Sequence, residues 1–276
     1  MEEREETGMQ LWVADGEAGL MRWERGEWQA VGESGEALCA AGGRIYCAGA
    51  GRCRAYQAQG GEQELNFALP GGVCAMLALR GRVFALSQDA DSVHAYAGET
   101  GNLLFSTPAG AYPRDMCADA DGRYLAVAGG AAGEIRIMDD CLQTVKKYRV
   151  PGTACGVCFC PRCLMALCAV EDGEVQSRLY RISLRGVMEE IWACALPPSC
   201  LCALPGGGWA VGCHGMAAGF FANKKTAWRQ LCPCPTRLGY GFMGPWICDP
   251  WQGYVLLSRG KILYRGKAPQ DAVFLP

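Results

Sequence analysis

A short phrase recurs along this chain of 276 residues and constrains its fold more than any other feature. It is clearest at residues 121–130 (DGRYLAVAGG) and is echoed at residues 42–51 (GGRIYCAGAG). Consecutive copies are 35 to 44 residues apart, and each is followed by a short run rich in β-forming residues. A period near 40 with such runs predicts a repeat architecture built from strands. Taking one residue of each turn as the frame, the seven units are placed at Gly8, Gly43, Gly81, Gly122, Arg162, Gly206 and Gly244.

The fourth unit shows four strands. Residues 115–120 lead to an Asp-Gly turn, and residues 123–128 return from it. Asp-Gly is a strong hairpin signal because a type I′ turn needs positive φ at both central positions. Residues 134–138 and 144–150 complete the set, and a Pro-Gly pair ends the unit. Four antiparallel strands per unit, arranged radially, are typical of a β-propeller blade.

The two ends of the chain are predicted to close the ring. The first unit has no strand ahead of Gly8, while residues 270–275 (QDAVFL) form an apolar stretch left over at the other end. We expect this C-terminal segment to supply the innermost strand of the first blade, which removes the open edges of the sheet array. The predicted fold is therefore an all-β, seven-bladed propeller in one domain (residues 8–276), preceded by a mobile acidic tail (residues 1–7).

The fourth unit resembles the repeat of YncE-like propellers, the YVTN type. The resemblance rests on residues 113–128 (PRDMCADADGRYLAVA) followed by residues 134–139 (EIRIMD), which match the inner strand, Asp-Gly turn, second strand and third strand of that repeat. It extends over the whole chain as an architecture and at motif level over one blade. The broader group includes lactonase-type sugar-ester hydrolases and quinoprotein-like sensors, so the resemblance implies a fold and leaves several functions open.

Charge and hydropathy exclude some functional classes. The net charge of −2 and the scattered basic residues give no electrostatic reason to expect a nucleic-acid partner. The acidic N-terminus lacks the basic and apolar regions of a signal segment, and no apolar run reaches the roughly 20 residues that span a bilayer. We therefore expect a cytoplasmic protein without membrane insertion.

The chain contains 18 cysteines, which we interpret as mainly structural. A disulfide framework suits small secreted chains, whereas free cysteine in a large chain behaves as a small buried hydrophobe. The densest cluster, residues 155–163 (CGVCFCPRC), has the overlapping CxxC spacings of zinc or iron–sulfur sites, but strand alternation places Cys158 and Cys160 on one face and Cys155 and Cys163 out of parity with them. Cys160 and Cys163 are expected to face each other across the Pro161-Arg162 turn, so Cys158, Cys160 and Cys163 remain as metal candidates, and Cys160 with Cys163 as a redox candidate.

A propeller usually binds ligands at the mouth of its central channel, formed by the starts of the inner strands and the loops between second and third strands. We assign to this mouth a mixed set of charged residues: Arg114, Asp115, Arg237, Asp271, His214 and Asp249, with Asp89, Glu171 and Asp172 beside them. Trp246 and Trp251, which bracket a proline loop, are the predicted partner-binding pair because exposed tryptophans are common at protein interfaces.

These residues support three functional hypotheses. The first is a non-catalytic binding module for a protein, a peptide or a small polar ligand, with no cofactor, because no nucleophile motif, P-loop or dinucleotide fingerprint is present. The second is a lactonase-like hydrolase, which requires Asp115, Asp249 and Asp271 to converge on one open pocket. The third is a metal or redox function of the cysteine cluster.

Overall fold

A computed structural model describes residues 10–221, 226–241, 243–258 and 260–275, and shows seven four-stranded antiparallel sheets arranged as the blades of a ring. The strands of the first four blades, in chain order, are β1 (Gln10–Asp15), β2 (Gly19–Glu24), β3 (Glu27–Gly32), β4 (Ala37–Ala41), β5 (Arg44–Gly49), β6 (Arg52–Gln57), β7 (Gln63–Ala68), β8 (Val73–Leu79), β9 (Arg82–Ser87), β10 (Ser92–Ala97), β11 (Leu103–Pro108), β12 (Asp115–Ala118), β13 (Tyr124–Ala128), β14 (Glu134–Asp139) and β15 (Thr144–Arg149). The remaining strands are β16 (Thr153–Cys160), β17 (Cys163–Asp172), β18 (Glu174–Ser183), β19 (Met188–Cys194), β20 (Pro198–Leu204), β21 (Gly208–Cys213), β22 (Gly215–Phe220), β23 (Thr226–Cys232), β24 (Arg237–Gly241), β25 (Gly244–Asp249), β26 (Tyr254–Leu257), β27 (Ile262–Arg265) and β28 (Pro269–Leu275).

The predicted closure of the ring is confirmed. Blade one has the strand order β28-β1-β2-β3, and β28 pairs antiparallel with β1 from Gln10 opposite Leu275 to Asp15 opposite Pro269. The other six blades are each continuous in sequence, beginning with β4, β8, β12, β16, β20 and β24. The innermost strand of blade one therefore comes from the opposite end of the chain, as the leftover apolar segment predicts.

The burial of the strands falls from the second strand to the outer one, which explains their composition. All six residues of β21 are buried, while five of six residues of β11 and of β15 are exposed. Because a second strand is covered on both faces by neighbouring blades, it accepts an unbroken apolar run. An outer strand is more exposed, and β15 carries lysines there, although β11 exposes Leu103, Leu104 and Phe105.

The hydrophobic core is divided among the interfaces between blades. Seven separate clusters of buried residues are present, one between each pair of neighbouring blades around the ring. The cluster between blades seven and one includes Val13, Trp246 and Ala272, so it depends on β28. Burial between blades, rather than within one sheet, is therefore what holds the ring together.

The predicted acidic tail, residues 1–7, and the first frame glycine, Gly8, lie outside the described residues. In the part of the chain that the structure covers, no helix is long and apolar enough to cross a lipid bilayer. The only helical element there is a single 3₁₀ turn, Pro205–Gly207, in blade six.

Candidate functional site at the channel mouth

The inner strands begin on one face of the ring, and the loops of that face surround an open cavity of about 960 Å³. Most of its lining comes from residues at or near the starts of inner strands, as predicted. Of the sequence-assigned residues, four line it: Arg114, Asp115, His214 and Arg237. Glu171, which the sequence placed beside them, also lines the cavity.

The floor of this cavity is an ion-pair network centred on Arg237. Its Nη1 lies 3.3 Å from Oδ1 of Asp115, and its Nε lies 3.7 Å from Oδ2 of Asp271. Arg237 also donates a hydrogen bond to the carbonyl oxygen of Cys74. A second, smaller cavity of about 310 Å³ continues below, and Asp115 and Arg237 line both spaces. The network therefore lies across the channel, between the mouth and the interior.

The same two carboxylates hold neighbouring strands in place. Oδ2 of Asp115 accepts a hydrogen bond from the backbone N–H of Val157 at 3.0 Å, and Oδ2 of Asp271 accepts one from Leu38 at 2.9 Å. With the Cys74 contact, the network joins the inner strands β4, β8, β12, β16, β24 and β28. Six of the seven blades are thus connected at the centre of the ring through one arginine and two aspartates.

Burial dominates the electrostatics of this network. It raises the pKa of Asp115 to about 6, against the lowering effect of Arg237 and of the backbone N–H groups of Val157 and Met116. Burial also raises the pKa of Asp271, again opposed by Arg237. Burial disfavours the charge of Arg237 too, but the two carboxylates outweigh it and raise the pKa of the guanidinium. Two acids sharing one cation leave the floor with a net negative charge when both are ionised.

The rim above the floor carries exposed charged groups. The guanidinium of Arg114 stacks over the ring of Tyr112, with its carbon 4.7 Å from the ring centroid. Glu36, Glu171 and His214 are exposed around the same opening. Among the described residues, no salt bridge involves Arg114, Glu36 or Glu171. Charged side chains without a partner inside the protein are available to a polar ligand.

Blade five extends this rim. Its strands β17 and β18 are ten residues each, whereas the strands of the other blades have four to seven. Glu171, near the end of β17, pairs directly with Val175, at the start of β18, and both residues line the cavity. The long hairpin is therefore a wall of the mouth.

The assignment of Asp249 to the mouth is wrong. Asp249 is fully buried. Its Oδ2 accepts hydrogen bonds from the Sγ of Cys232 at 3.0 Å and from the backbone N–H of Cys234 at 3.2 Å. Its Oδ1 accepts one from the backbone N–H of Gln252. Asp15 occupies the same position at the end of a second strand in blade one and also accepts bonds from its own loop and the preceding linker. Both side chains turn inward to satisfy loop N–H groups, so neither faces a ligand.

Asp271 is not part of the open mouth either. It is buried below the opening, lines the smaller cavity and pairs with Arg237. Asp115, Asp249 and Asp271 therefore do not converge on one open pocket, which is the arrangement that the hydrolase hypothesis requires.

The predicted tryptophan pair is split between core and surface. Trp251 is exposed, with 82% of its surface accessible, as expected. Trp246 is buried, with 6% accessible, so its assignment as a partner-binding residue is wrong. It pairs across the sheet with Gly239 and packs against Phe274, with ring centroids 6.1 Å apart. The missing side chain of Gly239 leaves the space that the indole fills.

The cysteine candidates do not form a compact metal site. A metal site needs at least three ligand atoms close together. Among the described residues, one set of three side chains has its ligand atoms within 4.8 Å of one another, namely Asp139, Asp140 and Cys141. Cys158, Cys160 and Cys163 are outside it. Oδ1 of Asp139 already accepts the N–H groups of Cys141 and Gln143, as a turn aspartate does. All 18 cysteines are free thiols, and nine of them are buried.

Sequence reasoning missed several polar residues of the mouth, among them Glu36 and Thr236. Each immediately precedes an inner strand, as Arg114 does in blade four. Arg114 is assigned to the mouth because it lies at the start of an inner strand. The same criterion, applied to the starts of β4 and β24, identifies Glu36 and Thr236.

No protein-family model matches this sequence, and no curated protein matches it. Solved structures match its fold over most of the chain. A candidate 6-phosphogluconolactonase from Bacteroides fragilis has a TM-score of 0.72 at 13% identity, covering 97% of this chain and 98% of its own. A chain of the mitotic checkpoint complex has a TM-score of 0.71 at 12% identity, covering 87% of this chain and 81% of its own. Virginiamycin B lyase from Staphylococcus aureus has a TM-score of 0.67 at 12% identity, covering 87% and 88%. At these identities the likeness establishes a seven-bladed propeller, a fold shared by proteins of varied function.

Proposed function

We propose that this protein is a non-catalytic binding module whose channel mouth takes a polar segment of a partner protein. The observation that carries the proposal is the open cavity of about 960 Å³, which lies above the Arg237 network and is edged by charges that have no ion-pair partner among the described residues. A cavity of this size is at the upper end of those that bind ligands in proteins.

The rim favours a ligand that carries both charges. Arg114 offers a guanidinium already oriented by stacking on Tyr112, and Glu36 and Glu171 offer carboxylates on other blades. A peptide segment with acidic and basic side chains would complement all three. A chain of the mitotic checkpoint complex among the similar structures is one example of this fold in a protein assembly.

A hydrolase fits the mouth less well. The reason to consider a hydrolase is the similarity of the fold to that of a candidate 6-phosphogluconolactonase. However, Asp115 and Asp271 share the single cation of Arg237, and Asp249 is held within its loop. A general acid or base must reach the substrate with its own proton-accepting atom, and the exposed carboxylates here, Glu36 and Glu171, lie on the rim rather than at the floor.

The test compares two double variants that each remove one cation and one anion. Arg114→Ala with Glu171→Ala alters the mouth, and Arg123→Ala with Asp121→Ala alters an exposed ion pair on the opposite face. Proteins captured from native lysate are identified, and their segments are synthesised as peptides for calorimetric titration. We expect the mouth variant to lose peptide binding by about tenfold or more, since truncating interface anchors costs 1 kcal/mol or more each.

The opposite-face variant should bind like the wild type. Binding that survives in the mouth variant and falls in the opposite-face variant would place the ligand elsewhere. Titration of small sugar lactones in parallel, with product detection, separates the hydrolase: turnover that survives in the mouth variant but depends on Asp115 would contradict a purely binding role.

A further inference from the structure

The turn between the inner and second strands of blade five carries two cysteines that face each other. Strand β16 ends at Cys160, β17 begins at Cys163, and the two residues are directly paired across the hairpin. Directly opposed residues of an antiparallel pair point to the same face, with Cα atoms about 4.5 to 5.5 Å apart. Disulfides join residues whose Cα atoms are about 4.4 to 6.8 Å apart. The backbone therefore already holds this pair at bridging distance.

A third thiol lies beside the pair. Cys158 is two residues before Cys160 on the same strand and so shares its face. Cys158 and Cys163 both interact electrostatically with Cys160. The interaction with Cys158 has the largest effect and lowers the pKa of Cys160, against burial, and the interaction with Cys163 lowers it further. Of the three thiols, Cys160 is the one that interacts with both of the others.

The other thiols of the same blade have raised pKa values. Burial raises the pKa of Cys155 and of Cys168, and Cys158 itself is buried with a raised pKa. Cys160 and Cys163 are half-buried and thus reachable from solvent. The thiolate is the reactive form of cysteine, and a partly accessible one is the usual site of exchange.

The pair is separate from the mouth. Both sulfurs lie at the edge of the cluster between blades five and six, which contains Trp209 and Phe220. The hairpin is at the end of β16 remote from Thr153 and Cys155, which line the mouth cavity. The turn between the two cysteines has the φ values of a type II turn. Its first central residue, Pro161, is restricted to a negative φ, and its second, Arg162, has a φ of 69°.

We propose that Cys160 and Cys163 form a reversible disulfide, made by exchange with a low-molecular-weight disulfide such as glutathione disulfide. The Cys160 thiolate attacks one sulfur of the small disulfide, a mixed disulfide forms, and one small thiolate leaves. Cys163 then loses its proton and attacks the Cys160 sulfur, releasing the second small thiol. The protein dithiol is oxidised by two electrons, and one disulfide is reduced to two thiols.

The sequence supplies a direct assay. Arg162 lies between the two cysteines, so trypsin separates residues 150–162 from residues 163–178 only when no bridge joins them. The reduced protein is equilibrated with glutathione and glutathione disulfide at graded ratios, alkylated, denatured and digested without reductant. We expect the two peptides to appear as one linked species, with the mass of their sum less two hydrogen atoms, and to separate after reduction.

Four variants test the bridge. Cys160→Ser and Cys163→Ser should each abolish the linked species, while Cys155→Ser, which alters another half-buried thiol on the same first peptide, should leave it unchanged. Cys158→Ala should slow its formation, because Cys160 then loses the neighbouring group that lowers its pKa most. Melting curves of each variant show whether the fold is retained.

Two results would overturn the proposal. One is a wild-type protein whose peptides stay unlinked at every glutathione ratio, a result that needs no variant. The other is a linked species that persists in Cys160→Ser, which would mean that a different pair had reacted.

Discussion

At the scale of single residues, the ring depends on a few positions where size or charge leaves no choice. Gly239 is one, because the indole of Trp246 on the next strand occupies the space where a side chain would stand. Gly219 and Trp228 repeat this arrangement in blade six. Asp115 is another, since one carboxylate joins Arg237 to the backbone of the neighbouring blade.

Gly239→Ala is expected to destabilise the protein. A Cβ at this position would lie 2.1 Å from Cζ2 of Trp246, which is buried and cannot move aside freely. Overpacking of this kind costs about 1–3 kcal/mol, to be measured as a fall in the free energy of unfolding by denaturant titration. The control is Gly16→Ala, where the added Cβ meets its nearest atom at 3.5 Å, an ordinary contact. Equal stability losses in the two variants would contradict this packing.

Asp115 should make stability depend on pH in a specific direction. Its pKa is raised to about 6 by burial, so between its ordinary value near 4 and that value the folded protein holds this proton more tightly than the unfolded chain. The stabilisation is fully present below about pH 4 and is lost as pH rises through about 6. Asp115→Asn removes this titration and keeps an oxygen for the Val157 N–H.

The stability of Asp115→Asn relative to wild type should therefore rise by about 2 kcal/mol from about pH 4 to pH 7, whatever its offset at pH 4. Denaturant titrations of both proteins across this range measure it, with the exposed Asp121→Asn as the control. A wild-type-minus-variant difference that stays flat, or that moves the other way, would show that Arg237 outweighs burial.

At the scale of elements, the ring is closed by a strand from the far end of the chain. Removing Pro269–Leu275 takes away the partner of β1 and exposes Val13 and the rest of the cluster between blades seven and one. We expect the truncated chain to lose cooperative thermal unfolding, as followed by circular dichroism.

A synthetic peptide of residues 269–275 added in trans should restore the transition, and the same peptide with Asp271→Ala should restore it less well because it lacks the Arg237 and Leu38 contacts. Cooperative unfolding at an unchanged temperature in the truncated chain would contradict the role of β28 as the closing strand.

Much of the element structure could be predicted from the sequence because blades repeat a local rule. The Asp-Gly turn and the alternating residues of blade four place all four of its strands within about two residues of β12, β13, β14 and β15. The leftover segment likewise predicts β28. The repeat does not predict which side chains meet at the centre of the ring, because these residues are far apart in sequence. Arg237 and Asp115, for example, are 122 residues apart.

The same limit explains the errors at Asp249 and Trp246. A position in a loop or beside a proline indicates exposure only on average. Whether the side chain turns inward depends on the neighbouring linker, which supplies the N–H of Cys234 to Asp249, and on the adjacent strand, where Gly239 admits the indole of Trp246.

At the scale of the whole molecule, the two faces of the ring have different chemistry. The mouth has a large cavity with unpaired charges above a buried ion-pair network, and the opposite face has the paired thiols of Cys160 and Cys163. The network at the centre joins six of the seven blades and so favours a rigid ring, in which the proposed binding needs no rearrangement of the blades.

The most direct measurement of where the ligand binds is hydrogen–deuterium exchange of the protein with and without its partner peptide. A peptide bound at the mouth should slow exchange at the segments that form the rim, which are residues 33–36, 109–114, 171–175 and 233–236. Exchange at the opposite-face turns, residues 119–123 and 160–163, should not change. Protection confined to the outer strands or to the opposite-face turns, with the rim unchanged, would contradict the mouth as the binding site.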